Sequence, residues 1–464
     1  MDLVEFIYSR SPVLAQNLAV SWYGWSTARR RYRGEFLNFV EQVRDRERWP
    51  REDLESYQDK QILKLCHSAS ASPFYHKRFE DAGFKPERDA HREGLKKLPF
   101  LTKDEYRSCA NELLTRKPER GVITFKSSGT TGTPCRILRS RRTDQHIWAY
   151  WEARCWNWFG SNWRSRKAVF GVRKVHPVDR QRPPFWRRDW LTGVCYFSVY
   201  HLRRDNLRAY CEALQEFQPE QVLAYPSAIW PVVSFALNEG IKLPVVKGVV
   251  TTSETLLDQQ KAALEAAFSC QVYDQYGAAE ACVFGATCEH GRLHLSPDYA
   301  FVEILLPDGR PAKPGEAGEI VCTGFMNDLQ PLIRYRLGDV VRLSDKQDCP
   351  CGRQMPILDR IEGRVEDTLW TLNGDPVIRF DTVFKGIDGV VEGQVAQLAR
   401  GEFEIRVVID GRFSESESSR LVWNMNTHLG PGHTVSVRVV ESIPRTKGGK
   451  FKAVSNEVQL LPHG

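Results

Sequence analysis

The stretch KSSGTTGTP at 126–134 holds five hydroxyls and two glycines in nine positions. Glycine lets a chain turn with its N–H groups pointing inward, and serine and threonine add side-chain donors, so a loop of this kind suits the oxygens of a polyphosphate. A Walker loop needs lysine directly after its last glycine; here Thr133 and Pro134 follow Gly132, which excludes that class. A second group with chemistry in it is formed by CEHGRLH, with Cys288, His290 and His294, and DCPCGR, with Cys349 and Cys351. Thiolates and neutral imidazole are a tetrahedral zinc set, and Cys-x-Cys beside proline and glycine makes a knuckle. Both segments flank expected hairpins, so Cys288, His294, Cys349 and Cys351 are the expected ligands, with His290 as the alternate. Four protein ligands leave no open position, which implies a structural zinc; free buried thiols are the alternative.

The elements that must position these groups change character along the chain. Residues 50–115 read as helical, with LESYQDKQILKLCHSA carrying apolar residues at mixed spacings of three and four. Beyond them, short β-rich runs (KAVFGV, QVLAYPS, VVKGVVTTSE, CQVYDQYG) alternate with helical segments (NLRAYCEALQEFQ, TLLDQQKAALEAAFS). That alternation implies a parallel sheet covered on both faces, with ligands held in loops at the carboxyl ends of the strands. From 295 to 345 shorter runs separated by Pro-Asp-Gly and Pro-Gly turns predict an antiparallel sheet or small barrel. The last hundred residues predict a hairpin about Arg400-Gly401, a helix over SESESSRLVWNMNTHLG and a period-two strand TVSVRVVES, a small α+β unit. The expected fold class is therefore α/β: a large N-terminal domain (1–362) with mixed and parallel sheets plus a barrel-like part, and a small α+β lid (363–464) hinged near 362–369.

At 464 residues, 42% hydrophobic and 27% charged, the composition is that of a folded soluble protein. No run reaches the length of a membrane span, the start MDLVEFIYSR is unlike a secretory signal, and twelve mostly scattered cysteines do not read as a disulfide framework. The expected compartment is the cytoplasm. The net charge of +7 is unevenly spread, with basic stretches at STARRRYRG, RILRSRR and RQRPPFWRRDW. No nucleic-acid module accompanies them, so a solvated rim attracting a small anion is expected and nucleic acid is not. The stretch SPVLAQNLAVSWYGW has the make-up of a membrane-surface helix, against which packing on its own domain is the plainer expectation.

Taken with YDQYGAAE (273–280), IRYRLGDVVRL (333–343), EGRVEDTL (362–369) and PRTKGGKFKA (444–453), the hydroxyl-rich loop resembles the adenylate-forming superfamily of acyl-coenzyme A ligases, amino-acid adenylation domains and luciferases. Five motifs stand in the family's order at about its spacing. SPFYHKRF, LPFLTKDEYR, PLIRYRLGD and CPCGR resemble the phenylacetate–coenzyme A ligases and capsule-biosynthesis proteins in particular. The resemblance implies that Ser128, Gly129, Thr130, Thr131, Gly132 and Thr133 cradle phosphates of ATP, that Tyr276 stacks on adenine, with Gly277 beside it in the ATP site and Asp274 near the adenine amino group, and that Asp339 and Arg364 take the ribose and phosphate. It implies further that Glu280 binds Mg²⁺, that Lys450 reaches the reacting oxygens, and that a hinge lies at Glu366. Two positions depart from the family pattern: Ala279 stands where threonine is usual, costing a hydroxyl, and Glu366 where aspartate is usual.

The implied activity is ATP-dependent formation of an acyl-adenylate and passage of the acyl group to coenzyme A. An amine acceptor is the alternative within that chemistry, and a retired enzyme acting in glycan binding or assembly is the alternative outside it. Tyr225, Pro226 and Ser227, in AYPSAIWP, are the expected wall of the acid's pocket and suit a flat or apolar acid, although core packing explains the same residues.

Overall fold

The computed structural model describes residues 3–126, 135–171, 173–177, 180, 182–377, 380–384, 386–445 and 451–458. The chain opens with helices α1 (Leu3–Arg10), α2 (Val13–Arg31) and α3 (Phe36–Asp45). The helical region expected beyond residue 50 comprises α4 (Arg51–Ala69), α5 (Pro73–Asp81), α6 (Pro86–Asp89) and α7 (Lys103–Ser108). The start of α5 is set by proline at its first position with the Ser72 hydroxyl accepting from Tyr75 N, and that of α7 by a Thr102/Glu105 capping box. Strands β1 (Ile123–Lys126) and β2 (Arg136–Arg139) form an antiparallel ribbon in which Lys126 faces Arg136, so the described residues on both sides of the hydroxyl-rich loop lie side by side.

After α8 (Arg141–Trp151) come β3 (Lys167–Gly171), β4 (Trp186–Asp189) and β5 (Val194–Ser198), then α9 (Arg204–Phe217), β6 (Gln221–Ala224), α10 (Pro226–Asn238), β7 (Gly248–Thr252), α11 (Asp258–Phe268) and β8 (Val272–Gly277). The antiparallel run follows as β9 (Phe284–Thr287), β10 (Leu293–Leu295), β11 (Ala300–Leu305), β12 (Ala317–Gly324), β13 (Leu332–Leu343) and β14 (Ile357–Arg364). All but the β1–β2 ribbon join one twelve-stranded sheet in the order β11-β12-β13-β14-β10-β9-β8-β7-β6-β3-β5-β4. Strands β5, β3, β6, β7 and β8 run parallel, and from β9 onward every pairing is antiparallel, so the two halves expected from the sequence are continuous through β8 and β9.

The parallel half buries Val222, Val249 and Val272 against α9, α10 and α11 through Leu214, Val232 and Leu264. The antiparallel half buries Val341 and Leu358 with Ile62, Leu65 and Tyr75 of α4 and α5. Near-continuous apolar runs in the parallel strands are what burial on both faces requires. One expectation about charge is corrected here. The arginine-rich stretches are only partly a solvated rim, because Arg187 and Arg139 are buried. Arg187 donates to Gln16 Oε1 (2.6 Å) and to the Pro184 carbonyl (2.8 Å), partners that replace its water.

The C-terminal part has its own sheet. After a short helical turn at Val365–Asp367 come β15 (Leu369–Trp370) and β16 (Pro376–Val377), then β17 (Val390–Ala399), β18 (Glu402–Ile409), α12 (Glu415–Leu429), β19 (Thr434–Val439) and β20 (Val454–Asn456). The four-stranded order is β19-β18-β17-β20, with α12 buried through Leu421 and Met425 against Val395, Ile405 and Val407. Gly401 takes φ +82° in the β17–β18 turn, where a side chain would be strained.

Candidate functional site

The parallel strands end together on one edge, and the loops there hold Tyr225, Pro226, Ser227 and Glu280, with Tyr276 and Gly277 at the end of β8. Tyr225 leads into α10 after β6 with Pro226 at the helix's first position, a place where a missing N–H is harmless. Ser227 N donates to Glu254 Oε2 (3.0 Å) from the loop after β7. After β8, Ala278 O accepts from Ala281 N in a tight turn that carries Glu280, and Ala281 itself sits at φ 58°. Ser253, beside Glu254, is at φ 71°. Left-handed backbone at two non-glycine residues on one sheet edge is held in place by the surrounding packing, as at binding sites.

Opposite β8, strand register brings two more residues in. Asp339 on β13 pairs directly with Arg364 on β14, and the guanidinium Nε stands 3.2 Å from Asp339 Oδ1. The phenol of Tyr276 donates to Asp339 Oδ2 at 2.7 Å. Asp339 therefore bridges the ends of β8 and β14. Burial holds the Tyr276 phenol well above its ordinary range, and the adjacent carboxylate adds to the effect. Glu280 is buried too, which raises its carboxyl, while Arg364 and Lys103 draw it back down. Lys103 is brought there because Leu101 N and O bond to Arg334 and Arg336 of β13 at 2.9 Å each. The structure thus gathers Tyr276, Glu280, Asp339 and Arg364.

Asp274 stands apart from this group. Its carboxylate accepts from the Thr251 hydroxyl on β7 (2.7 Å), and burial pushes its pKa up to about 6. The loop residues Ser128, Gly129, Thr130, Thr131, Gly132 and Thr133, and Lys450, lie outside the described residues. Their described flanks are informative. Arg139, three residues beyond the start of β2, is buried and donates to the Ala279 carbonyl, one residue before Glu280. Phe451 N, directly after Lys450, donates to Glu254 Oε1 at 2.9 Å, and Arg445 pairs with Glu392 while lying over the Phe451 ring at 4.8 Å. Glu254 therefore ties the C-terminal segment to the sheet edge through one oxygen and Ser227 through the other. Glu366 lies in the turn Val365–Asp367, right after Arg364 and Val365.

Three residues of the site were not singled out from the sequence: Glu254, Arg139 and Lys103. Glu254 carried the same signal as Glu280, a glutamate directly after a predicted carboxyl-edge strand. Arg139 lay inside a basic run that suggested solvent, and Lys103 inside a motif whose polar residues also cap a helix, so neither had a distinguishing local signal.

The cysteine and histidine cluster is on the far side. Because Gly277 pairs with Phe284 and Gln275 with Ala286, strand β9 runs away from Glu280 and delivers Cys288 to the opposite edge. There the ligand atoms of Cys288, His294, Cys349 and Cys351 all lie within 4.8 Å of one another, whereas His290 is not in the group. Cys288 Sγ and Cys349 Sγ are 3.7 Å apart, and Cys351 Sγ is 3.5 Å from His294 Nε2. A tetrahedron with bonds of about 2.3 Å to sulfur and about 2.0 Å to nitrogen has edges near those values, so the donor set fits zinc. His290 N points to Cys288 Sγ at 3.4 Å, a donor that favours a thiolate there.

The architecture, a large mixed sheet with Tyr276, Glu280, Asp339 and Arg364 gathered beside it and a smaller C-terminal α+β part, is the fold of the coenzyme A ligases. The chain is homologous to protein CapK of Staphylococcus aureus, 23% identical over 98% of this chain and 100% of the relative, and to the phenylacetate-coenzyme A ligase of Escherichia coli K12, 25% identical over 68% and 72%. Residues 369–457 match the CapK C-terminal domain family. A shorter similarity joins it to indoleacetate–lysine synthetase of Pseudomonas savastanoi, 31% identical over 30% of this chain and 34% of that one. Among solved structures, 2-hydroxyisobutyryl-CoA ligase in the postadenylation state superposes with a TM-score of 0.68 at 19% identity, covering 89% of this chain and 91% of the other. The same enzyme in the thioesterification state gives 0.55 over 89% and 92%.

Proposed function

We propose that this protein is an AMP-forming acid ligase that activates a carboxylic acid with ATP and passes the acyl group to coenzyme A. The observation that carries the reading is the convergence of Tyr276, Glu280, Asp339 and Arg364 beside the carboxyl ends of the parallel strands. The substrate carboxylate attacks the α-phosphorus of ATP, pyrophosphate leaves, and the acceptor then displaces AMP from the acyl-adenylate. A carboxylate is unreactive because a nucleophile would have to expel oxide; AMP replaces that leaving group. Positioning and charge neutralisation supply most of such catalysis.

On this reading Asp339 accepts from the ribose hydroxyls, oriented by Tyr276 and Arg364. Ser128, Gly129, Thr130, Thr131, Gly132 and Thr133 hold the phosphates, and Gly277 leaves room beside adenine. Asp274, with one carboxylate oxygen held by the Thr251 hydroxyl, would meet the adenine amino group with the other. Glu280 would hold Mg²⁺, which neutralises phosphate oxygens when bound. Lys450 adds its ammonium to the reacting oxygens, and Phe451 N on Glu254 supports its delivery to this edge. Tyr225, Pro226 and Ser227 border the acid. The division into 1–362 and 363–464, with Glu366 as hinge, belongs to the same proposal; β14 ends at Arg364 and a separate sheet follows. Cys288, His294, Cys349 and Cys351 would hold a structural Zn²⁺ that ties the β9–β10 turn to the β13–β14 connection. The mostly scattered cysteines of the sequence, unlike a dense disulfide framework, support a reducing compartment, the cytoplasm.

An amine acceptor is the second reading. It is favoured by the full-length similarity to CapK and by the shorter similarity to indoleacetate–lysine synthetase, whose name is that of an enzyme joining an acid to an amine. The test is ATP–pyrophosphate exchange across a panel of acids, followed by addition of coenzyme A or of amines and identification of the product by mass. Exchange with an aromatic or medium apolar acid and a thioester product is the expected result. An amide product selects the second reading, and no exchange with any acid under conditions of proven ATP binding leaves an assembly role instead.

A further inference from the structure

Helix α2 is amphipathic the wrong way round for a helix at the surface of a soluble domain. Its buried side is small and polar: Gln16, Ser21, Gly24 and Thr27, with Val20 the one aliphatic side chain. That side is wired to the edge strand β4 and the turn after it. Asn17 Oδ1 accepts from Arg188 N (3.1 Å), Ser21 Oγ accepts from Trp190 N (3.0 Å), and Gly24 lies so close to Asp189 that a Cβ there would fall 1.7 Å from a carboxylate oxygen. The outward side carries Leu14 (64% exposed), Leu18 (57%) and Trp22 (66%), whose spacing of four places them in one stripe, and Tyr23 (55%) is exposed at the border of the polar side. The bond from Trp190 sets the β4–β5 turn beside this stripe, where Trp190 and Leu191 are also exposed.

Charge frames the patch with one sign. Residues 6–34 contain five arginines and no acidic residue, and Arg10, Arg29 and Arg33 are exposed before and after the apolar stripe. A second copy docked by the same face would bring these arginines together, which disfavours self-association. An apolar stripe with two tryptophans, bounded by arginines, complements an anionic headgroup layer over acyl chains. Among the described residues no helix is long and apolar enough to cross a membrane, so the stripe would lie on one. We infer that α2 and the β4–β5 turn form a peripheral membrane-binding surface for anionic phospholipid.

The test is flotation of the full chain with phosphatidylcholine vesicles, with and without phosphatidylglycerol, alongside the double variants Leu18→Glu/Trp22→Glu and Arg29→Glu/Arg33→Glu. All four side chains are outside the folded interior, so the melting temperature should stay at the parent value and reports folding independently. The parent should float with phosphatidylglycerol vesicles and about tenfold less with phosphatidylcholine alone or in high salt. Leu18→Glu/Trp22→Glu should reduce partition by at least about tenfold, and Arg29→Glu/Arg33→Glu should abolish the preference for the anionic lipid. Absence of flotation with anionic vesicles, or unaltered flotation of Leu18→Glu/Trp22→Glu, overturns the inference. So does a dimer in sedimentation equilibrium that Leu18→Glu/Trp22→Glu converts to monomer, which would assign the face to a second copy. None of these outcomes depends on the ligase reading.

Discussion

Replacing Asp339 by Asn tests the proposed nucleotide site at the residue that links Tyr276 to Arg364. The carboxylate has two described partners, the Tyr276 hydroxyl at 2.7 Å and Arg364 Nε at 3.2 Å. Asn retains an oxygen for Tyr276, so the amide NH₂ must face the guanidinium, a donor against a donor. The lost attraction at 3.2 Å is about 1 kcal/mol for a dielectric of 80 and about 5 for 20; the Arg364 side chain is 40% exposed, which places it near the lower figure. A ribose hydroxyl bonded to a carboxylate contributes about 1.5–3 kcal/mol, and one such acceptor is removed. The ion pair is lost from the free and the nucleotide-bound protein alike, so binding loses the ribose term of about 1.5–3 kcal/mol, roughly a 10- to 150-fold loss in kcat/KM for ATP. Ribose contacts are the same before and during adenylation, so the loss should fall on KM with kcat within a few fold. Pyrophosphate exchange over an ATP titration measures both. Tyr276→Phe, which removes one donor and leaves the charge, should cost less than tenfold. An Asp339→Asn protein that is folded and keeps its KM for ATP within twofold would refute the assignment.

Lys450→Ala should slow pyrophosphate exchange by about 10² to 10³, since an ammonium at about 4 Å from the reacting oxygens is worth roughly 4 kcal/mol before desolvation. Acyl transfer from synthetic acyl-adenylate should change little, and equal loss in both halves would contradict the role. Cys349→Ser should lower the zinc content, measured by atomic emission after gel filtration, from one per chain, and should lower the melting temperature as chelation does; a metal-free parent with full stability would remove the zinc reading. Asp274 has a folded pKa of about 6 against 3.8 when unexposed to burial, so its contribution to stability is present in full below pH 4 and is lost as pH rises through 6. Asp274→Asn keeps the Thr251 bond and should raise stability at pH 8 by up to about 3 kcal/mol and leave it unaltered at pH 4, read from urea midpoints. A gain of equal size at both pH values would mean that charge burial is not the cause.

Why some of this was legible and some was not follows from the range over which each feature is encoded. Strands β6, β7 and β8 announce themselves as short apolar runs, and the carboxyl-edge rule then places Glu280 and Ser227 without further information. Cys349 sits in a local knuckle signature and Cys288 in a Cys/His cluster, yet their meeting depends on β10 pairing with β14, a contact across some sixty residues of sequence. The Asp339–Arg364 pair is of the same kind: both motifs are readable, while their opposition is a matter of register between β13 and β14. Arg187 and α2 show where local reading goes astray. A run of arginines with tryptophan looks solvated until one learns that Gln16, from the polar face of α2, enters the interior to meet Arg187 at 2.6 Å. The same exchange leaves Leu18 and Trp22 outside, because a helix that buries its polar side against a polar strand edge has only its apolar side left for the surroundings. The interior and the exterior of the N-terminal region are therefore one observation: polar burial at β4 is what makes the exposed apolar stripe, and a variant that fills Gly24 against Asp189 should disturb both.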